Sequence, residues 1–117
     1  MIKIRISIKG YSWSELYGFA VDSLFKVDSV ASAMGISTRT LQQHSKDSFG
    51  VSPKFWLKQM RAVHMRSLLA SPENLPIKEV AYLLGYRSLS NMVKDCKKWH
   101  RATPQELRQR WQLDITK

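Results

Sequence analysis

Residues 30–53 of the chain recur, with small changes, at residues 80–104. The first copy reads VASAMGISTRTLQQHSKDSFGVSP, and the second reads VAYLLGYRSLSNMVKDCKKWHRATP. The two copies align at an offset of 50 as far as Gly35 and Gly85, and at an offset of 51 beyond them. A chain that contains one unit twice is most simply built as two similar subdomains, so the repeat predicts the architecture.

Each copy has the pattern of a helix, a sharp turn and a second helix. The glycine can adopt the positive φ that ends a helix, and the serine that follows, Ser37 or Ser88, is a favourable N-cap for the next one. Leu41 or Met92 then points towards the core. A plain helical hairpin remains an alternative for either copy alone, but agreement in cap, core residue and Ser/Thr-Pro ending favours a DNA-binding helix-turn-helix.

The charge of the chain points to a polyanionic partner. The 19 Lys and Arg residues outnumber the 9 Asp and Glu residues, which gives a net charge of +10. Residues 39–66 and residues 87–110 each carry a net +5, and each stretch starts at a proposed recognition helix. Such a balance suits nucleic acid or an anionic membrane surface.

Several chemical functions find no support in the sequence. Cys96 is the single cysteine, so an internal disulfide and a cysteine-rich metal site are excluded. His44, His64 and His100 lack the spacing of metal ligands. There is no apolar run of transmembrane length and no signal-peptide core, so we predict a cytoplasmic, non-enzymatic protein without metal, cofactor or membrane partner.

The chain resembles the DNA-binding domain of AraC/XylS-type bacterial transcription regulators. The residues that carry the resemblance are Ala31, Gly35, Ser37, Arg39, Leu41, Gly50, Ser52, Pro53, Leu57, Arg61, Leu68, Leu69, Ile77, Ala81, Gly85, Tyr86, Ser88, Lys97, Thr103, Pro104 and Arg108. The resemblance implies an all-α fold of about seven helices, with two helix-turn-helix subdomains joined by a long connector helix. It also implies transcriptional regulation, mainly activation through RNA polymerase, although the residues do not separate activation from repression. The length resembles both stand-alone activators and an excised C-terminal domain.

The predicted division has four parts. Residues 1–10 form a short β-strand or arm, residues 11–74 the first subdomain with the connector, residues 75–112 the second subdomain, and residues 113–117 a tail. The isoleucines of the first part alternate with polar residues and so share one face of a strand; they are Ile2, Ile4, Ile6 and Ile8. This strand either pairs with a second copy, giving a homodimer, or lies on its own domain.

The recognition helices are predicted at about residues 38–49 and 89–100. The first would expose Arg39, Gln42 and Gln43, whose side chains can bond guanine and adenine in the major groove. A solvated polar face is the alternative. For the second helix, the resemblance implies base-reading by Ser90, Asn91 and Lys94. Two helices that read successive major grooves lie about 34 Å apart, a spacing to which a connector of about 18 residues, about 27 Å long, can contribute.

The remaining predicted contacts are to DNA phosphates. They come from exposed lysines and from the N-termini of the fourth and seventh helices, where free N–H groups favour anions. The predicted phosphate-binding residues are Lys46, Lys54, Lys58, Lys97, Lys98, Thr103 and Gln105.

Several positions depart from the family pattern. Gln43 stands where Arg is common, which predicts an altered base preference, and Met92 and Cys96 stand where Phe is usual, which predicts a softer core. Ser45 stands where a core Phe is common, which predicts a poorly filled core that Phe49 or His44 could compensate. Arg101 stands where a helix-ending Gly is usual, which predicts a strained or altered turn.

The competing function is a protein-interaction or dimerisation module of the anti-activator type, with only weak, non-specific DNA binding.

Overall fold

The computed structural model describes residues 7–8 and 10–116, with side chains from residue 10 to residue 111. Seven helices follow a short hairpin in this described part of the chain. The strands and helices are β1 (Ser7–Ile8), β2 (Tyr11–Ser12), α1 (Trp13–Asp22), α2 (Val27–Ala33), α3 (Thr38–Phe49), α4 (Pro53–Ala70), α5 (Ile77–Leu83), α6 (Leu89–His100) and α7 (Pro104–Thr116). The all-α fold of about seven helices that the resemblance implies is therefore confirmed.

The last residues of the predicted N-terminal strand, Ser7 and Ile8, form the first strand of the hairpin. β1 pairs antiparallel with β2, with Ser7 opposite Ser12 and Ile8 opposite Tyr11. The strand prediction otherwise rests on Ile2, Ile4 and Ile6, which lie outside the described residues, as does the side chain of Ile8. The homodimer through these isoleucines therefore stays a prediction.

The chain divides into two compact units within α4. The first ends at Met60 and the second begins at Arg61, whereas the boundary predicted from the sequence lies at residue 74. In unit 1 the core is made by apolar side chains of the first four helices, with Leu16, Ala20, Val30, Ala31, Leu41, Trp56 and Leu57 all buried. In unit 2 the corresponding set is Met65, Leu69, Val80, Ala81, Leu84, Met92, Cys96 and Leu107.

Local signals explain where the helices start and stop. Ser12 caps α1 through a capping box with Glu15, and Thr103 forms the same arrangement with Glu106 ahead of α7. Pro53 stands at the first position of α4, where its missing N–H costs nothing. α7 continues to Thr116, so residues 113–116, predicted as a tail, are helical.

The apolar pattern predicts that Phe25 enters the second helix and that α4 has a wide apolar face that includes Phe55 and Val63. The structure corrects both of these expectations and the one at Ser45. Phe25 does not enter the second helix: it has a φ of 59° after Leu24 at 54°, and this left-handed turn puts its ring in the core, 7% exposed. On α4, Phe55 is 48% exposed and Val63 is 60% exposed. Part of the apolar face of this helix is therefore not buried by the fold. At Ser45 the core is closed by Trp56, whose indole N–H donates to the serine hydroxyl at 2.7 Å.

Candidate nucleic-acid interface

Both recognition helices begin in the same way. The N–H of Ile36 donates to the Ala31 carbonyl at 3.0 Å, and the N–H of Tyr86 donates to the Ala81 carbonyl at 3.1 Å. Each bond spans a glycine with positive φ, Gly35 at 74° or Gly85 at 79°. This is the bonding of a Schellman turn, in which glycine takes a conformation that a Cβ would strain. The repeated sequence thus produces a repeated turn.

A serine then caps each recognition helix. The Ser37 hydroxyl accepts from the N–H of Thr40 at 3.0 Å, and the Ser88 hydroxyl accepts from the N–H of Asn91 at 3.2 Å. Thr38 adds a hydrogen bond of 3.2 Å from its hydroxyl to the Asp28 carboxylate, which joins the start of α3 to α2. The first turn of each helix is therefore fixed by its own sequence.

The outer face of α3 carries the predicted base-reading residues of unit 1. Arg39, Gln42, Gln43 and Lys46 are all exposed, whereas Leu41 is buried. Gln42, Gln43 and Lys46 follow Arg39 by three, four and seven residues, a spacing that places the exposed set on one side of the helix. Gln43 is partly engaged, because its amide donates to the Asp47 carboxylate at 3.1 Å.

α6 presents the second set in the same manner. Met92 and Cys96 are buried, and the polar side is exposed at Ser90, Asn91, Lys94, Lys97 and Lys98. A cavity of about 300 Å³ lies beside Asn91 and Lys94 in unit 2. Its other polar walls are Arg61, Tyr86, Arg87 and Asp95, for which the sequence alone predicts no contact with DNA.

Asp95 is the centre of a hydrogen-bond network in this cavity. Its Oδ2 accepts from the guanidinium Nη2 of Arg61 at 2.8 Å and from the Tyr86 hydroxyl at 2.9 Å. The Arg61 guanidinium also stands over the Tyr86 ring, 4.2 Å from its centroid. Burial, together with the hydrogen bond to Asp95, raises the pKa of Tyr86 well above its usual range, so the phenol remains a donor.

The predicted phosphate-binding residues are split between the units. Lys46, Lys54 and Lys58 belong to unit 1, and the rest belong to unit 2; of the seven, Lys58 and Thr103 are partly buried and the others are exposed. At Thr103 both the backbone N–H and the hydroxyl donate to the Glu106 carboxylate, at 3.3 and 2.8 Å. These bonds lower the pKa of Glu106, and a phosphate at this helix end would have to displace an ionised carboxylate.

The described residues contain no candidate metal site and no candidate membrane span. No group of three or more His, Cys, Asp or Glu residues there could hold a metal ion. None of the described helices combines the length and the apolar character needed to cross a lipid bilayer. His100 has a structural contact, since its Nε2 lies 3.1 Å from the Ala62 carbonyl oxygen.

Two capped helix-turn-helix units with polar outer faces define a helix-turn-helix DNA-binding domain. Residues 30–110 match the family model described as "Helix-turn-helix domain". The xylose operon regulatory protein of Escherichia coli strain K12 is 35% identical over 83 residues, which cover 71% of this chain and 21% of that regulator. The chain thus spans about a fifth of the length of this curated relative.

Solved structures have the same fold. A DNA-binding transcriptional dual regulator from Escherichia coli K-12 superposes with a TM-score of 0.69 at 20% identity, covering 82% of this chain and 87% of that one. The C-terminal domain of the response regulator yesN from Fusobacterium nucleatum gives a TM-score of 0.65 at 25% identity, covering 80% and 89%. An AraC-type regulator from Chromobacterium violaceum gives 0.63 at 21% identity, covering 84% and 93%. The chain belongs to the AraC-type helix-turn-helix family of DNA-binding transcription regulators. This family consists of DNA-binding proteins, and it gives no indication of an enzyme.

Proposed function

We propose that the chain reads two adjacent major grooves of one DNA duplex, with α3 in the first and α6 in the second. The observation that carries this proposal is the matched construction of the two helices. Each follows a left-handed glycine, each is capped by a serine, and each buries its apolar side while exposing a polar one. A helix presented in this way can enter a major groove with its exposed N-terminal residues towards the bases.

The proposed contacts divide into base-reading and positioning contacts. Arg39, Gln42 and Gln43 on α3, with Ser90, Asn91 and Lys94 on α6, would bond base edges, since these side chains supply the donors and acceptors that major-groove edges require. The lysines at residues 46, 54, 58, 97 and 98, with Thr103 and Gln105, would bond phosphates and fix the register. The net charge of +10 favours both kinds of contact.

The biological outcome that we propose is activation of transcription in the cytoplasm of a bacterium, through contact with RNA polymerase. This part rests on the family alone, because the described residues do not separate an activator from a repressor. Two relatives are named as regulators, one of a xylose operon and one as a dual regulator. Neither name assigns a sugar, an operator or a sign of regulation to this chain.

A protein-interaction module is the second candidate, and one observation favours it. An open cavity of about 270 Å³ in unit 1 is lined largely by apolar side chains, among them Trp13, Phe49 and Phe55. Phe55 is 48% exposed at this cavity, and an exposed apolar patch can mark a protein-interaction site. On this reading the basic surface would supply only weak, non-specific DNA binding.

Selection of binding sites from randomised duplex DNA, at near-physiological salt, tests the two candidates. The leading proposal expects a bipartite motif whose halves are one helical turn apart, about 10 base pairs. Salt-sensitive binding without any motif would overturn direct readout and favour the interaction module. A motif with one half-site only would overturn the two-groove reading while preserving sequence-specific binding.

A further inference from the structure

The cavity beside α6 contains more positive charge than the predicted DNA contacts account for. Arg61 and Arg87 line it together with the proposed base-reading residues Asn91 and Lys94. Asp95 is the carboxylate among these cavity-lining residues, one position after Lys94 and four after Asn91. Helical spacing therefore puts an acidic group on the same side of α6 as residues that we assign to DNA.

The Asp95 carboxylate forms an ion pair with Arg61. The ion pair is short, 2.8 Å between Arg61 Nη2 and Asp95 Oδ2, and the two side chains are 19% and 26% exposed. Tyr86 holds both partners: its hydroxyl donates to the same oxygen at 2.9 Å, and its ring lies under the guanidinium. The Arg61 guanidinium is thus fixed on one side by a carboxylate and on one face by an aromatic ring.

The charge of this pair decides how Arg61 can interact with DNA. Non-specific affinity increases with the number of phosphates that basic groups neutralise, and each such contact steepens the dependence on salt. An arginine paired with a carboxylate at hydrogen-bond distance contributes little net charge to this count. A fixed carboxylate near the duplex also repels phosphates.

We propose that Asp95 is a specificity-determining residue, which withholds Arg61 from the DNA backbone and so limits non-specific binding by unit 2. The inference rests on the proposed function of α6 as a DNA-contacting helix. Asp95 increases the share of the affinity that comes from base contacts, because it removes a cation that would attract any sequence equally. Arg61 would therefore bind a phosphate only when its ion pair with Asp95 is broken.

The test is the salt dependence of binding by the whole chain to a random-sequence duplex, measured by fluorescence anisotropy between about 50 and 200 mM salt. Asp95→Asn keeps the shape of the side chain and removes its charge. We expect the slope of log K against log salt to steepen by about 0.9, the value for one added phosphate contact. The affinity advantage of the variant would then fall about threefold across this range of salt.

Two controls separate release of Arg61 from a general change in charge. Glu73→Gln makes the same charge change at an exposed loop residue of unit 2, and it should leave the slope unchanged. The double variant Arg61→Gln with Asp95→Asn should return the slope to the wild-type value. An unchanged slope in Asp95→Asn, or a slope that stays steep in the double variant, would overturn the proposal.

A second variant keeps the test decisive if Asp95→Asn does not fold, as judged by circular dichroism. Arg61→Gln alone unpairs Asp95, whose charge should weaken binding at every salt concentration, but the slope should stay at the wild-type value because a withheld arginine makes no phosphate contact to lose. A shallower slope would mean that Arg61 already binds a phosphate, and the proposal would be wrong. The slope needs no operator, so this result is distinguishable from a failure of the site selection, which would count against the proposed function instead.

Discussion

Trp56 donates its indole N–H to the hydroxyl of Ser45 at 2.7 Å, and both side chains are almost completely buried. The same hydroxyl donates to the Val51 carbonyl at 2.6 Å, so this polar group satisfies both of its bonding roles inside the core. Trp56 also contacts Trp13 with tilted rings, at a centroid distance of 6.1 Å, and Phe49 edge-on, at 5.9 Å. The pair anchors α3 to the first half of α4 within unit 1.

Loss of the Ser45 hydroxyl should destabilise the fold. Ser45→Ala would leave a buried indole N–H and a carbonyl without this partner, which costs about 1–3 kcal/mol. Ser48→Ala, an exposed serine on the same helix, is the matched control and should change stability by no more than about 0.5 kcal/mol. Denaturant unfolding of the two variants measures the difference. Equal free energies of unfolding would show that the bond contributes nothing net.

The ends of the two recognition helices predict opposite effects of substitution. Gly50 after α3 and Arg101 after α6 are the same position of the repeat, and both are left-handed, with φ of 74° and 59°. Arg101→Gly should stabilise the chain by about 0.5–1 kcal/mol, because glycine avoids the steric cost of this conformation. Gly50→Ala should destabilise it by about 1 kcal/mol, although the added Cβ would meet no atom within 4 Å. Thermal unfolding of both variants tests the pair, and a loss of stability in Arg101→Gly would contradict the argument.

Substitution of the proposed base-reading residues should lower sequence selectivity more than it lowers overall affinity for DNA. We expect Arg39→Ala and Asn91→Ala each to remove about 1–3 kcal/mol of discrimination at one position of the selected site. Lys98→Ala is the comparison, because loss of a phosphate contact weakens binding to all sequences alike and lowers the salt slope by about 1. Competition between the selected site and single-base variants of it measures the effect. A uniform loss in all three variants would argue against direct readout by Arg39 and Asn91.

Cys96 should be unreactive in the folded protein. Burial raises the pKa of its thiol from an ordinary 9.0 to about 11, and the thiolate is the reactive form. A thiol reagent at about pH 8 should therefore label the chain only after denaturation. Rapid labelling of the native chain would place the thiol in solvent.

The same shift gives a pH dependence of stability. The unfolded thiol loses its proton near pH 9, whereas the folded thiol keeps it until about pH 11. The unfolded state therefore binds fewer protons across this interval, and the contribution of Cys96 to the free energy of unfolding falls as the pH rises through it. Cys96→Ala removes this dependence, so the difference between wild type and variant should be constant below pH 9 and should shrink above it. A constant difference up to pH 11 would contradict the raised pKa.

Signals that lie within a few residues of one another made the helices predictable. The spans expected for α3 and α6, and the length expected for α4, agree with the structure, because serine caps, Pro53 and left-handed residues begin or end helices locally. The turn at Leu24 and Phe25 was missed, since neither residue type favours positive φ. The helical period also marked Phe55 and Val63 as apolar, but it cannot tell how much of an apolar face the fold covers.

The candidate site was predictable only in part. The outward position of Arg39, Gln42 and Gln43 followed from helical spacing and from the buried Leu41. The network at Asp95 could not be found in this way, because its partner Arg61 is 34 residues earlier in the chain. Ser45 was predicted as a defect in the core, and it is a hydrogen-bond partner of Trp56, because a hydroxyl can close a site next to an indole where an apolar side chain is usual.

The two copies of the repeat hold equivalent helices by different chemistry. α3 is anchored by a neutral bond at Ser45, whereas Cys96 at the equivalent position of α6 is a plain core residue and the anchor is the neighbouring Asp95 with its ion pair. Salt screens a partly exposed ion pair and leaves a buried neutral bond almost untouched. Designers who exchange the outer faces of α3 and α6 to reprogram recognition would therefore have to transplant each anchor with its face. Otherwise the transplanted residues would lie on a helix that lacks the contact holding it to its own subdomain.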